Sequence, residues 1–115
     1  MTGEMSWIKA NGDDSNGESW PVHAEVARAL RCRLRPFDYY IGPFIAHQRG
    51  RLWLSSDDGY TGTACLWPNG AAPAYCEPIT CSFPDAYDAG MALEACREVL
   101  KEARRREILT QKATL

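Results

Sequence analysis

The sequence lacks long hydrophobic runs, and its apolar stretches extend for only a few residues. A membrane-spanning helix needs about 20 consecutive apolar residues, and a secretory signal peptide needs an apolar segment close to its start. The first twenty positions instead carry Asp13, Asp14, Asn16 and Glu18. The sequence therefore predicts a cytoplasmic protein that makes no contact with a membrane.

A strong excess of charge of one sign is also missing. The formal net charge of the 115 residues is −2 at pH 7. This value argues against a protein whose whole surface attracts nucleic acid, and equally against an acidic mimic of DNA. A chain of this length has room for a single core. We therefore predict one domain, residues 21–115, preceded by a flexible leader, residues 1–20, that is rich in Gly, Asn, Ser and Asp.

Recognisable metal-binding and catalytic motifs are absent as well. Cys65, Cys76 and Cys81, with His23 or His47 as the fourth ligand, have a C-x10-C-x4-C spacing that lacks the paired short knuckles of structural zinc sites. His47 as a base beside Cys76 or Cys81 has no supporting signature, and no phosphate-binding glycine motif is present. We predict no cofactor, no metal and no catalytic residue. A small enzyme or a zinc-binding protein is the least supported alternative.

Several reactive residue types have simpler structural explanations. The five cysteines are an odd number whose thiols are expected to stay reduced without an export signal, and Cys96 is expected to be buried as a small hydrophobic residue. Asp57 and Asp58 could act as paired carboxylates, but beside a glycine they predict a hairpin turn. His47 is expected at a strand end, and His23 is expected to be exposed in the first turn of a helix.

The sequence predicts one long helix from Pro84 to Leu109. Ser82 is its expected N-cap, Pro84 suits the first turn, and Asp85 supports the cap. Small and apolar residues recur there at alternating steps of three and four, as on the buried stripe of an amphipathic helix. That stripe consists of Ala86, Ala89, Leu93, Cys96, Leu100 and Ala103. The opposite side pairs glutamates with arginines or lysine at helical spacings, which predicts a solvated surface.

The rest of the chain predicts a short helix followed by a sheet. The helix is expected from Pro21 to Arg35. The predicted strands are Tyr39–His47, Arg51–Ser55, Tyr60–Trp67 and about Ala74–Cys81. Pro43 and Pro78 cannot donate to a sheet, so their strands should be broken, bulged or at an edge there. The predicted fold class is α+β: a three- to four-stranded antiparallel sheet with a long C-terminal helix on one face and a short N-terminal helix.

Alternation along the predicted strands indicates which side chains share a face of the sheet. The face toward the long helix would carry Ile41, Ile45, Leu52, Leu54, Ala64, Leu66, Ile79, Cys81 and Phe83. The other face would carry Tyr40, Phe44, Trp53, Cys65 and Trp67. Either the short helix covers this second face and creates a three-layer core, or the face is an exposed platform for a partner.

These features favour a small non-enzymatic protein-binding module, because Trp, Tyr and Arg are common anchors of interfaces. The predicted partner-binding residues are Phe44, Trp53, Trp67, Arg104, Arg105 and Arg106. In size and layout the chain is similar to small proteins of phages and other mobile elements that inhibit or regulate a host protein, although no motif carries this similarity. The alternative is a nucleic-acid-binding module in which sheet aromatics stack on bases and arginines meet phosphates. Neighbouring glutamates argue against that role for the last three arginines.

Overall fold

The structure, a computed structural model, describes residues 20–35, 43–71 and 76–114. These residues form two helices, α1 (Trp20–Ala29) and α2 (Ala89–Thr114). They also form five strands: β1 (Arg33–Arg35), β2 (Phe44–His47), β3 (Gly50–Ser55), β4 (Gly62–Pro68) and β5 (Ile79–Phe83). The predicted α+β fold class is confirmed. The leader predicted for residues 1–20 lies outside the described residues, except for Trp20 at the start of α1.

The five strands form one antiparallel sheet in the order β1-β2-β3-β4-β5. Each strand pairs with the next along the chain, so β1 and β5 are its edges. Gln48 and Arg49 connect β2 to β3, because His47 pairs with Gly50. Residues 43 and 78 are the prolines that directly precede β2 and β5, so neither removes a donor from the ladder. The sheet has one strand more than the predicted three or four.

The additional strand lies where the sequence predicted the end of the first helix. The predicted helix from Pro21 to Arg35 is wrong after residue 29, because the chain turns at Arg31, whose φ of 55° is left-handed. Cys32 N donates to Ala27 O at 2.8 Å, a bond typical of the Schellman motif that ends helices. This reversal lets Arg33–Arg35 pair with β2. Glycine usually occupies the left-handed position, so an arginine there gives no sequence signal.

The start of α2 also differs from the prediction. The predicted Pro84–Leu109 helix is wrong at both ends, and Ser82 is a strand residue of β5 rather than the N-cap. The N-cap is Asp88, whose Oδ1 accepts a hydrogen bond from Met91 N at 3.0 Å. Asp85 accepts from the backbone N–H two residues further on and closes a separate turn. Pairing of β5 with β4 therefore prevails over a local sequence that resembles a helix start.

Both helices pack on the same face of the sheet and enclose the main hydrophobic core. The sheet contributes Ile45, Leu52, Leu54, Ala64, Leu66, Ile79 and Phe83, and α2 contributes Ala92, Ala95, Cys96, Val99 and Ala103. The predicted helix-facing side of these sheet residues is confirmed, as is the burial of Cys96. Ala89, Leu93 and Leu100, which were expected on the stripe, pack at its margin. Ala86 is buried ahead of the helix.

His23 of α1 is part of this core, and the prediction that it is exposed is wrong. Its side chain is only 1% exposed. The imidazole Nε2 accepts a hydrogen bond from Leu54 N at 3.0 Å. A buried amide near the end of β3 is thereby satisfied by a helix side chain, so the contact joins α1 to the sheet.

The loop between β3 and β4 confirms the turn predicted at Asp57 and Asp58. Oδ1 of Asp58 accepts hydrogen bonds from Tyr60 N and Thr61 N, both at 2.8 Å. These bonds, from Tyr60 first, lower the pKa of the Asp58 carboxyl. Gly59 has a φ of 78°, which a glycine adopts at little cost. The Asp58 side chain therefore shapes the loop, and Asp57 is exposed beside it.

Candidate functional site

The second face of the sheet carries the aromatic side chains that the sequence predicted there. A cluster separate from the main core contains Phe44, Trp53, Cys65 and Trp67. This part of the prediction is confirmed, while Tyr40 and Ile41 lie outside the described residues. The ring centroids of Trp53 and Trp67 are 6.0 Å apart with a tilt of 35°, within the range of favourable aromatic pairs. We refer to this side of the sheet as the aromatic face.

Neither described helix covers the aromatic face, because both pack on the opposite side of the sheet. Of the two alternatives that the sequence left open, the short helix covering this face is therefore wrong. Trp67 is nevertheless only 6% exposed, and its Nε1 donates to Cys76 O at 3.2 Å in the segment after β4. Phe44 and Trp53 are half-buried. Trp67 therefore supports the cluster from within, whereas Phe44 and Trp53 keep accessible surface.

Three arginines share the aromatic face with these rings. Leu34 packs toward the main core, so alternation along β1 directs Arg33 and Arg35 to the aromatic face. Arg33 lies opposite Ala46, which in turn lies opposite Arg51 on β3. Arg51 lies in a strand, as predicted, whereas the sequence analysis assigned Arg33 and Arg35 to the first helix because it extended that helix through β1. The alternating R-C-R-L-R segment, residues 31–35, is the signal that indicates a strand.

A polar cavity of about 520 Å³ lies at the β1 edge of the sheet. Its lining includes Arg31, Arg33, Arg35 and His47, and none of the described residues that line it is acidic. His47 lies at a strand end, as predicted, and its Nδ1 accepts a hydrogen bond from Arg49 N at 3.0 Å. Burial, and then the charge of Arg49, lower the pKa of His47. At neutral pH the positive charge of the cavity therefore comes from the arginines.

A second candidate surface lies between the edge strand β5 and the first half of α2. A groove of about 470 Å³ is lined there by Phe83, Met91 and Ala95, with Glu94 and Glu98 beside them. Within the described sheet β5 pairs with β4 alone. Alternate residues of such an edge strand direct their N–H and C=O groups away from the sheet. We call this surface the β5–α2 groove.

Large exposed side chains lie in the β3–β4 loop, in the segment before α2 and in the first turn of α2. Tyr60 is 78% exposed, Tyr87 48% and Met91 40%. Ala86 N donates to Tyr60 O at 2.8 Å, which joins the β3–β4 loop to the segment before α2. The sequence analysis did not single out these residues, because their exposure depends on where two loops meet. A contact between two loops leaves no periodic pattern in the sequence.

The predicted charged contacts, Arg104, Arg105 and Arg106, are exposed on the last part of α2. Arg106 Nε donates to Glu102 Oε2 at 2.8 Å. Hydrogen bonds from Arg105, and then from Arg106, lower the pKa of the Glu102 carboxyl to about 2. Because α2 lies across the sheet from the aromatic face, the predicted partner-binding residues do not form one continuous surface.

Among the described residues, the structure does not bring His47 and Cys81 together as a catalytic pair, nor the cysteines and histidines considered in the sequence analysis together as a metal site. His47 ends β2 and Cys81 lies in β5, so three strand spacings of 4.8 Å separate them by at least about 14 Å across the sheet. The fold therefore excludes a catalytic pair of His47 and Cys81, which the sequence did not support either. Burial raises the pKa of Cys65, and it raises that of Cys96 to about 12, which disfavours the nucleophilic thiolate. Within residues 20–35, 43–71 and 76–114, no group of three His, Cys, Asp or Glu side chains is placed to hold a metal ion.

No protein-family model, curated protein or solved structure matches this chain. Its function is therefore argued from the two surfaces described above. The aromatic face combines rings with arginines, and the β5–α2 groove combines apolar side chains with a strand edge. Both arrangements offer contact groups suited to binding.

Proposed function

We propose that this protein is a small non-enzymatic protein-binding module that holds a segment of its partner in the β5–α2 groove. The observation that carries the proposal is an apolar groove beside an edge strand that has one strand partner in the described sheet. Such an edge offers backbone donors and acceptors to an extended peptide. The adjoining groove can receive alternate side chains of that peptide.

The exposed side chains beside the groove support the same proposal. Met91 lines the groove, and Tyr60 and Tyr87 are exposed where the β3–β4 loop meets the segment before α2. Aromatic residues and methionine are enriched at the centres of protein interfaces. We therefore expect these three side chains to be covered when the partner binds.

Charge beside the groove indicates the chemistry of the partner segment. Glu94 and Glu98 are highly exposed and bind Arg97 at 3.1 Å and Lys101 at 3.0 Å within their own helix. Exposed ion pairs of this kind contribute little to stability, so a cation from a partner can replace the internal one. A segment that alternates apolar with basic residues would place apolar side chains in the groove and basic side chains beside Glu94 and Glu98.

Inhibition or regulation of the bound protein is the expected consequence, because a partner segment held along β5 can no longer make its usual contacts within the partner.

We infer that the module acts in the cytoplasm. All five cysteines are free thiols, as is usual in a reducing compartment. No helix in the described ranges combines the length and the apolarity needed to cross a membrane. Partner contacts by the aromatic face and by Arg104, Arg105 and Arg106 stay predictions.

The groove can be tested by capture of the partner from a nuclease-treated lysate of the source cells. Met91→Asp introduces a charge at the groove, and Leu109→Asp introduces the same charge at a site that is 50% exposed near the end of α2. We expect the native protein and Leu109→Asp to retain one dominant protein that Met91→Asp loses, at equal unfolding midpoints. Equal capture by all three proteins would contradict the groove, and loss of capture after nuclease treatment would contradict protein binding.

A further inference from the structure

The strand residues of the aromatic face carry positive charge and no carboxylate. The register places on this face Arg33, Arg35, Phe44, Ala46, Arg51, Trp53, Ser55, Thr63, Cys65, Trp67, Thr80 and Ser82. Among the described residues, several acidic side chains lie instead on α2, including Glu94, Glu98 and Glu102. Asp57 follows β3 at the end remote from Arg51. This distribution favours an anionic ligand on the aromatic face.

Each of two arginines on this face lies directly opposite an aromatic ring. Arg35 is opposite Phe44, and Arg51 is opposite Trp67. Side chains directly opposite each other in an antiparallel pair have Cβ atoms about 5 Å apart. Arg35 and Phe44 therefore place a cationic and a stacking group side by side on neighbouring strands, whereas Trp67 is buried within the cluster. This arrangement matches a polymer that carries phosphates on one side and flat bases on the other.

The cavity at the β1 edge continues the positive surface beyond the sheet. Arg31, Arg33 and Arg35 line its volume of about 520 Å³. Arg31 is held there by the left-handed turn that ends α1, so the fold fixes its backbone beside the other two. Arginine guanidinium groups bind phosphate oxygens in a bidentate manner. The cavity is therefore suited to a sugar-phosphate backbone that reaches the edge of the aromatic face.

Accessible rings distinguish single-stranded from double-stranded nucleic acid. Phe44 and Trp53 are half-buried and keep accessible surface, and Trp67 supports Trp53 from a distance of 6.0 Å between ring centroids. Bases of a duplex are stacked on one another and cannot lie on such rings, whereas unpaired bases can. We propose that the aromatic face binds single-stranded nucleic acid, with bases on Phe44 and Trp53 and phosphates on Arg31, Arg33 and Arg35.

The test is fluorescence anisotropy with a short labelled oligothymidylate over a series of salt concentrations. Each arginine that neutralises a phosphate adds about 0.7 to the magnitude of the slope of log affinity against log salt. We expect Arg33→Ala and Arg35→Ala each to weaken binding and to reduce that slope by about 0.7. Trp53→Leu keeps an apolar side chain in the cluster but removes the stacking ring. It should weaken binding at least about fivefold with the slope unchanged.

Matched controls separate this surface from charge elsewhere on the molecule. Arg104→Ala removes an exposed arginine from α2 and should leave both affinity and slope unchanged. Met91→Asp alters the β5–α2 groove and should also leave oligonucleotide binding intact, so this proposal and the proposed protein binding can fail separately. A duplex of the same length should bind more weakly than the single strand. Unfolding midpoints in urea verify that every variant is folded.

Three results would overturn the proposal. The first is the absence of salt-dependent binding by the native protein. The second is equal loss of affinity in Arg33→Ala and Arg104→Ala, which would reflect net charge alone. The third is equal affinity for the oligonucleotide and for a polyphosphate of matched charge, because the rings would then contribute nothing.

Discussion

At the residue scale, His23 shows how one buried polar side chain joins a helix to the sheet. Its Nε2 accepts the Leu54 amide at 3.0 Å while the side chain is 1% exposed. His23→Ala would leave a cavity and an unsatisfied buried N–H. We expect it to lower the free energy of unfolding by about 2–4 kcal/mol, measured by urea denaturation at neutral pH. A loss within the error of the method would show that the contact contributes nothing to stability.

His47 makes stability depend on pH through the hairpin that joins β2 to β3. Its folded-state pKa is lowered by burial and then by the charge of Arg49, and its Nδ1 accepts the amide of that residue. The unfolded chain, with a histidine pKa of about 6.5, therefore binds a proton more readily than the folded one. The stability contributed by His47 is present above about pH 6.5 and is lost as the pH falls through the folded pKa.

We expect the urea midpoint of the native protein to fall between about pH 7 and pH 5, and we expect His47→Gln to flatten this dependence. The measurement is a set of urea titrations at several pH values for both proteins. His23 is retained in both, so the difference between their slopes isolates His47. If the urea midpoints of the two proteins changed identically with pH, His47 would not contribute to the pH dependence of stability.

Two tryptophans of the aromatic face are expected to differ in their structural roles. Trp67 is 6% exposed and donates to a backbone carbonyl, whereas Trp53 is half-buried. We expect Trp67→Ala to lower the free energy of unfolding by about 3–5 kcal/mol, and Trp53→Ala to have a smaller effect. Chemical denaturation monitored by circular dichroism measures both. If Trp67→Ala were as stable as the native protein, Trp67 would not be a core residue, and its predicted role as a partner-binding residue would be favoured.

At the element scale, the start of α2 depends on Asp88. Its side chain accepts the Met91 amide at 3.0 Å, and removal of such an N-cap typically costs about 1 kcal/mol. We therefore expect Asp88→Ala to lower the free energy of unfolding by that amount. Ser82→Ala is the matched control, because Ser82 is an exposed residue of β5 and should have little effect. The reverse order of the two losses would support a helix that begins at Pro84.

At the scale of the whole molecule, the accessibility of the cysteine thiols tests how the helices pack on the sheet. Cys96 lies between α2 and the sheet with 0% exposure, and burial raises its pKa to about 12. Cys76 is exposed. We expect iodoacetamide at neutral pH to modify Cys76 first and to modify Cys96 only after unfolding, because the thiolate is the reacting form. Peptide mass spectrometry follows each site, and labelling in urea provides the control.

Cys96 labelled as quickly as Cys76 in the native protein would contradict the packing of α2 on the sheet. Such a result would also remove the basis for two independent surfaces, since that packing separates them. The β5–α2 groove belongs to the helical layer, and the aromatic face belongs to the opposite side of the sheet. The two proposed ligands therefore have sites that do not overlap.

The sequence by itself determined the features that follow from the repeat of a strand or a helix along its own segment. Alternation assigned Leu52 and Leu66 to one face of the sheet and Trp53 and Trp67 to the other, as the structure confirms. The helical period indicated α2 and the burial of Cys96. These predictions succeed because the side-chain direction of a residue follows from the backbone geometry of its own segment.

Only the tertiary structure decided where elements end and which surfaces stay accessible. Ser82 became a strand residue because β4 pairs with it, and Arg33 joined the aromatic face because β2 pairs with β1. His23 is buried because α1 packs on the same face as α2, and Tyr60 is exposed where two loops meet. Each of these outcomes depends on contacts between segments that are remote in sequence, where pairing and packing override local propensity.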